Sequence, residues 1–171
     1  MRRESHPSPV VDLSRIKDLK WLFLKTARNI CPDWRVADEH KDAVNDIFTW
    51  CLGMNGNLDC DKGLWLWGNN GTGKTTMLKI IKNFYRAIGK CDTMGNEYGF
   101  RIVSVPEICG IYEKKGRAGI EQFASLRRQA FDELGAEEVV TGYYGTPLNV
   151  MQYILMRRYD CLLYTSDAAD D

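Results

Sequence analysis

Eight consecutive residues constrain this chain more than any others: Gly68-Asn69-Asn70-Gly71-Thr72-Gly73-Lys74-Thr75. They satisfy the pattern G-x-x-x-x-G-K-[ST] in full. Ordinary residue frequencies produce that pattern by accident in a chain of 171 residues on the order of once in a hundred or less. It calls for a strand before it and a helix after it. Gly63-Leu64-Trp65-Leu66-Trp67 reads as the strand, with Trp65 and Trp67 on one face and Leu64 and Leu66 on the other. A strand apolar on both faces belongs in the middle of a parallel sheet covered by helices. Met77, Leu78, Ile81, Phe84, Tyr85 and Ile88 recur at helical spacing beyond the loop, and Gly89 is placed to end that helix.

The chemistry of such a loop is that of an anion cradle. Glycines let the backbone turn tightly, so successive N–H groups point inward, and the positive end of the helix adds to the field. Gly68, Asn69, Asn70, Gly71, Thr72, Gly73, Lys74, Thr75 and Thr76 are therefore the expected phosphate-binding residues. Lys74 is expected to reach the β- and γ-phosphates as a point charge, and the Thr75 hydroxyl to complete the shell of a Mg²⁺ ion shared with the nucleotide.

A second half for such a site lies at Ala130-Phe131-Asp132-Glu133-Leu134-Gly135, a strand end followed by two acids. Asp132 is expected to hold Mg²⁺ and Glu133 to polarise an attacking water as catalytic base. Arg127, Arg128 and Gln129 interrupt what should be a more apolar strand, so the strand must be short.

The rest of the chain organises around these two stretches. Residues 1–11, with Pro7 and Pro9, read as a loose arm, and residues 12–57 as a helical segment. A first helix is expected from Asp12 to about Asn29, with Leu13, Ile16, Leu19, Trp21, Leu22, Phe23 and Leu24 in its stripe, until Cys31-Pro32-Asp33 breaks it. A second is expected from Asp38, as cap, to about Gly53, with Ala43, Val44, Ile47, Phe48, Cys51 and Leu52 on one face. Phe100, Ile102, Val103 and Val105 suggest another strand. Ser104-Val105-Pro106-Glu107 has the form of a capping box opening a helix that Gly116 interrupts. Lys114, Lys115 and Arg117 cluster at that break; a charge run is ordinarily a solvated face, and single-stranded DNA is the partner it would suit otherwise. Gly142-Tyr143-Tyr144-Gly145 reads as surface loop, and Thr146-Pro147 as the start of a last helix ending near Arg158.

Lys+Arg and Asp+Glu balance at 23 each, which excludes a global field that recruits nucleic acid. The six cysteines form no C-x-x-C pair, which argues for free thiols in a reducing cytoplasm and against structural zinc. No stretch approaches membrane-spanning length. Residues 161–171, Cys-Leu-Leu-Tyr-Thr-Ser-Asp-Ala-Ala-Asp-Asp, read as the translation of a transposase-type sequencing adapter, a non-native tail to be set apart from the fold.

Taken together, residues 20–160 resemble the DnaC-like helicase loaders, AAA+ P-loop ATPases. The resemblance rests on Gly63–Thr75, on Asp132-Glu133-Leu134-Gly135-Ala136-Glu137 and on Met151-Gln152-Tyr153-Ile154-Leu155-Met156-Arg157-Arg158-Tyr159. It implies an α/β fold of the P-loop NTPase type: a parallel sheet flanked by helices, with about three of the family's five strands within 58–160. It implies ATP and Mg²⁺ as ligands, Walker A roles for Lys74 and Thr75, the metal role for Asp132 and the base role for Glu133. A replicative helicase is the implied partner, with a homo-oligomer as the working form. The sensor residue, arginine finger and any helical lid would lie beyond Cys161, so little turnover is expected of these 171 residues alone. Three other readings share the motifs: an IstB-type transposition helper, a GTPase through Asp132-x-x-Gly135, and a nucleotide-switched binding module.

Overall fold

Apolar stripes at helical spacing decide the N-terminal half. In a computed structural model describing residues 12–54, 56–60, 62–69, 71–89, 100–125, 128–136 and 140–166, a 3-10 turn over Leu13–Arg15 leads into α1, Ile16–Ile30. The expected arm, 1–11, lies outside the described residues. A second 3-10 turn, Asp38–His40, leads into α2, Lys41–Leu52, and α3 is Lys74–Ala87. Asp38 does not cap: it sits inside the turn, and no side-chain bond closes the start of either turn or helix there. At the other end Gly53 adopts φ 75°, its N–H donating to Trp50 O and that of Met54 to Thr49 O, the paired bonds of a Schellman stop.

The chain forms two compact units, Met1–Phe100 and Arg101–Asp171. In the first, α1 packs on α3, and three rings meet at the centre. Phe23 lies edge-on to Phe48 and Phe84 at 5.6 and 5.2 Å, with all three buried. Ile47, Cys51, Leu52, Ile80 and Ile81 complete this core. Trp21 leaves the expected stripe and is exposed, its ring under the Lys25 ammonium, and Ala43 is exposed as well.

The second unit is built on a parallel crossover. Strand β1, Arg101–Ser104, runs into α4, Val105–Ser125, which returns the chain to β2, Gln129–Asp132. The two strands pair in parallel from Arg101↔Gln129 to Ser104↔Asp132. Ser104 opens α4 as the capping box requires, its Oγ accepting from Glu107 N–H at 3.4 Å. Gln129 is tolerated because its Nε2 donates to the Arg101 and Ala130 carbonyls, although its buried Oε1 has no hydrogen-bond partner. α4 packs on the last helix, α5, Val150–Ser166, around Val103, Ile108, Tyr112, Ile120, Phe123, Met151 and Ile154.

Several expectations are corrected. Residues 63–67 form no strand, and Trp65 and Trp67 are exposed rather than buried: a strand exists only where another chain segment takes its hydrogen bonds, and none of the described residues does so here. The sheet count changes accordingly, to one parallel pair and one antiparallel pair. Gly142–Gly145 is not plain loop. Thr141–Tyr143 (β3) and Thr146–Leu148 (β4) form a hairpin whose two turn residues, Tyr144 and Gly145, have φ 46° and 77°. Thr146 and Pro147 therefore belong to β4, and Asn149 caps α5 instead, its Oδ1 accepting from Gln152 N–H at 2.9 Å. α5 itself runs past Arg158 to Ser166, since neither Gly nor Pro follows to stop it.

Candidate functional site

The segment that enters the glycine loop is tied to α2 through the Trp50 indole, whose Nε1 donates to the Lys62 carbonyl at 3.1 Å. From there the chain reaches Gly68 and turns through three left-handed glycines, Gly68 at φ 149°, Gly71 at 81° and Gly73 at 83°. A side chain at Gly71 or Gly73 would meet open space, so these glycines answer to backbone conformation and not to crowding. Asn70 lies outside the described residues.

Lys74 closes this loop on itself. Its Nζ donates to the Gly68 carbonyl at 2.7 Å and to the Asn69 carbonyl at 2.8 Å, so the charged end lies inside the turn it terminates. The Thr72 hydroxyl donates to Asn69 O at 2.9 Å and holds the middle of the loop. An ammonium has three donors, and two are taken here, so one remains for an anion. α3 starts at Lys74, and its first intrahelical bond runs from Met77 N–H to Gly73 O at 2.8 Å. The N–H groups of Lys74, Thr75 and Thr76 thus precede the helical ladder at the positive end of a 14-residue helix. Thr75 is exposed and Lys74 and Thr76 are half-buried. This donor set fits a phosphate: one flexible cation, several aligned N–H groups and a hydroxyl, with the Gly68, Asn69 and Gly73 carbonyls already engaged.

The two acids stand at the carboxyl end of β2, the end of a parallel strand where open α/β sheets bind ligands. Asp132 is half-buried and its Oδ1 accepts from Glu133 N–H at 3.0 Å. Glu133 is exposed and holds φ 59°, unusual for a residue with a side chain, and Gly135 at φ 92° completes the turn. The Ala136 N–H donates back to the Glu133 carbonyl at 3.1 Å. The loop belongs to the first compact unit and the acids to the second.

The basic cluster gains an aromatic neighbour that the sequence did not disclose. Gly116 kinks α4 with φ 61° and ψ −156°, and the Tyr143 ring packs where its side chain would be: a Cβ there would lie 2.7 and 2.8 Å from ring atoms. Lys114, Lys115 and Arg117, all exposed, flank this contact. Tyr144 sits edge-on to Tyr143 at 4.7 Å and is 92% exposed. Arg117 also lies 5.6 Å from the Tyr153 ring. The available signal was Gly145 at the second turn position, but Tyr-Gly is not among the dipeptides that announce such a turn, and Gly142 and Pro147 weaken the flanking runs as strands.

Among the described residues no three His, Cys, Asp or Glu side chains group to hold a metal ion, and no helix is long and apolar enough to cross a membrane. Comparison with models of protein families, with curated proteins and with solved structures found no match to this chain.

Proposed function

We propose that the chain binds Mg·ATP through the loop ahead of α3 and belongs to a P-loop ATPase of the AAA+ class, of the kind that loads a replicative helicase onto DNA. The observation that carries this reading is the closed loop: left-handed glycines, Lys74 curled onto the Gly68 and Asn69 carbonyls, and the free N–H groups of Lys74, Thr75 and Thr76 at one helix terminus. In this reading Lys74 pairs with the β- and γ-phosphates and the Thr75 hydroxyl would serve Mg²⁺; the metal role of Asp132 and the base role of Glu133 are what the sequence resemblance implies. The ion itself would supply neutralisation of charge at the phosphate oxygens. The basic break of α4 and the exposed Tyr144 suit single-stranded DNA, since cations track the backbone and an aromatic face stacks a base.

Isothermal titration with Mg·ATP tests the proposal. Wild-type chain should bind, and Lys74→Ala should lose most of the affinity, because a charge-assisted contact in a partly desolvated loop is removed. Equal binding by the two would sink the assignment, and displacement by GTP as strong as by ATP would move it to the GTPase reading.

A further inference from the structure

Charge that balances over the whole chain is unevenly placed within the first unit. Helices α1 and α3 carry four Lys or Arg each and share one acid, Asp18, which Arg15 pairs at 3.2 Å. Lys20 turns to Asn45 Oδ1, and Lys74 turns into its loop. The others, Lys17, Lys25, Arg28, Lys79, Lys82 and Arg86, enter no ion pair among the described residues. They fall in two stripes: Lys17, Trp21, Lys25 and Arg28 along the exposed side of α1, and Lys79, Lys82 and Arg86 along that of α3. Like charges three and four residues apart destabilise a helix, so the stripes add nothing to the fold. Between them, where α1 packs on α3, lies an open cleft of about 380 Å³. Lys25, Thr26 and Asn29 line it from α1 and Asn83 from α3, and no carboxylate lines it. Asn83 donates to the Lys79 carbonyl at 2.8 Å and keeps its amide oxygen for a ligand.

We propose that this cleft holds the backbone of a single-stranded nucleic acid, as a surface separate from the break of α4. Charge complementarity carries the inference: two rows of cations with no paired acid flank a polar trough, and phosphates are the ligand such a trough suits. The side-chain amides and the Thr26 hydroxyl are of the kinds that join Lys and Arg in phosphate and sugar contacts. From Lys79 to Arg86 the stripe runs about 10 Å at 1.5 Å per residue, the length of about three nucleotides at 3.4 Å each. Trp21 favours a single strand over a duplex. Its ring lies 4.7 Å from the Lys25 ammonium and is 61% exposed, and an aromatic face stacks on a base only where the base is unpaired. An acidic helix suits the cleft less well, because helix-in-groove docking needs a continuous apolar trough for its anchors. Here Leu22, Ile30 and Ala87 are interrupted by Thr26, Asn29 and Asn83. This inference does not rest on the nucleotide reading.

Fluorescence anisotropy of a labelled oligothymidylate across a salt series tests it, using the full chain and two triple variants. One carries Lys25→Gln, Lys79→Gln and Arg86→Gln in the cleft. The other carries Lys20→Gln, Lys41→Gln and Lys62→Gln, which remove the same charge from the same unit outside it. All these positions are exposed, so both variants should keep the wild-type far-ultraviolet dichroism. The cleft variant should bind at least about tenfold more weakly at low salt, and its slope of log K against log salt should be shallower by about 2, for three phosphate contacts at ~0.7 each. The control should stay within about threefold of the wild type. Trp21→Ala should lose about fivefold or more. Absence of binding by the wild type would overturn the proposal, and so would equal losses in the two triple variants, which would reduce the effect to net charge. Duplex bound as tightly as the single strand, or full affinity in Trp21→Ala, would overturn the choice of a single strand. Displacement by polyglutamate as effective as by unlabelled oligonucleotide of equal charge would replace the nucleic acid with an acidic protein segment.

Discussion

At Gly116 one missing carbon decides how the second unit is assembled. Its φ 61° and ψ −156° belong to a region that only glycine occupies readily, and the Tyr143 ring fills the place of a side chain. Gly116→Ala combines backbone strain with overpacking, so we expect a loss of about 2–5 kcal/mol and a visibly lower Tm. A variant melting within a degree of the wild type would show that the contact gives way freely. Glu121 is the residue where pH should be read. Hydrogen bonds from Arg157 and then Tyr153 hold its carboxyl below the ordinary 4.5. A depressed carboxyl contributes stability above its unfolded value and loses it as pH falls through the folded one, so this contribution fades below about pH 4.5. The same bond, together with burial, raises the Tyr153 hydroxyl above 10.0, and its share is lost only as pH rises through that raised value. The pair is half-exposed, so Glu121→Gln should cost only about 0–1 kcal/mol at neutral pH. In urea melts at about pH 7, 5 and 3, the gap between wild type and variant should shrink with acid. A constant gap would contradict this account.

Among the elements, the β3–β4 hairpin is where the proposed contact with single-stranded DNA can be tested. Its turn needs two positive φ angles, which Gly145 supplies at no cost and Tyr144 only under strain. A bulky, 92% exposed ring kept in such a position contributes little to the fold and is available to a ligand. Tyr144→Asn separates the two roles, because Asn tolerates left-handed backbone but cannot stack. We expect unchanged or slightly raised stability, together with a loss of about 1–3 kcal/mol in affinity for a fluorescent single-stranded oligonucleotide followed by anisotropy. Equal affinity would remove Tyr144 from the proposed DNA surface and leave the cations at the break of α4 to be tested alone.

For the whole molecule, each unit has its own core, and nucleotide binding should stabilise the one that contains the loop. Ligand at a hundred times its Kd adds about 2.7 kcal/mol to a folded state that alone binds it, several degrees in Tm for a unit of this size. Mg·ATP should produce that shift in the wild type and not in Lys74→Ala. Glu133→Gln should keep the shift while hydrolysis, measured as phosphate release in any preparation that turns over, falls by about a hundredfold or more. Normal turnover by that variant would remove Asp132-Glu133 from the site.

Much of the molecule was legible because its bonds are local. The loop, the start of α3 at Lys74, the stops at Gly53 and Gly89, the Ser104–Glu107 bond and the break at Gly116 each depend on residues a few positions apart. Helical hydrogen bonds run from i to i−4, so a stripe, a cap and a left-handed glycine determine them without reference to the rest of the chain. Strands are different, because their partners lie elsewhere in the sequence. Phe100–Val105 and Ala130–Asp132 became β1 and β2 because each meets the other across α4, while Gly63–Trp67, at least as apolar, finds no strand partner among the described residues and leaves its tryptophans exposed. Tyr143 reads as loop until Gly116 offers it a surface, and Pro147 reads as a helix start until Gly142 pairs with it. The sequence by itself determined most of the helices and the left-handed turns of the glycine loop; tertiary structure alone decided which apolar runs became sheet, since a strand's hydrogen bonds belong to two distant segments at once.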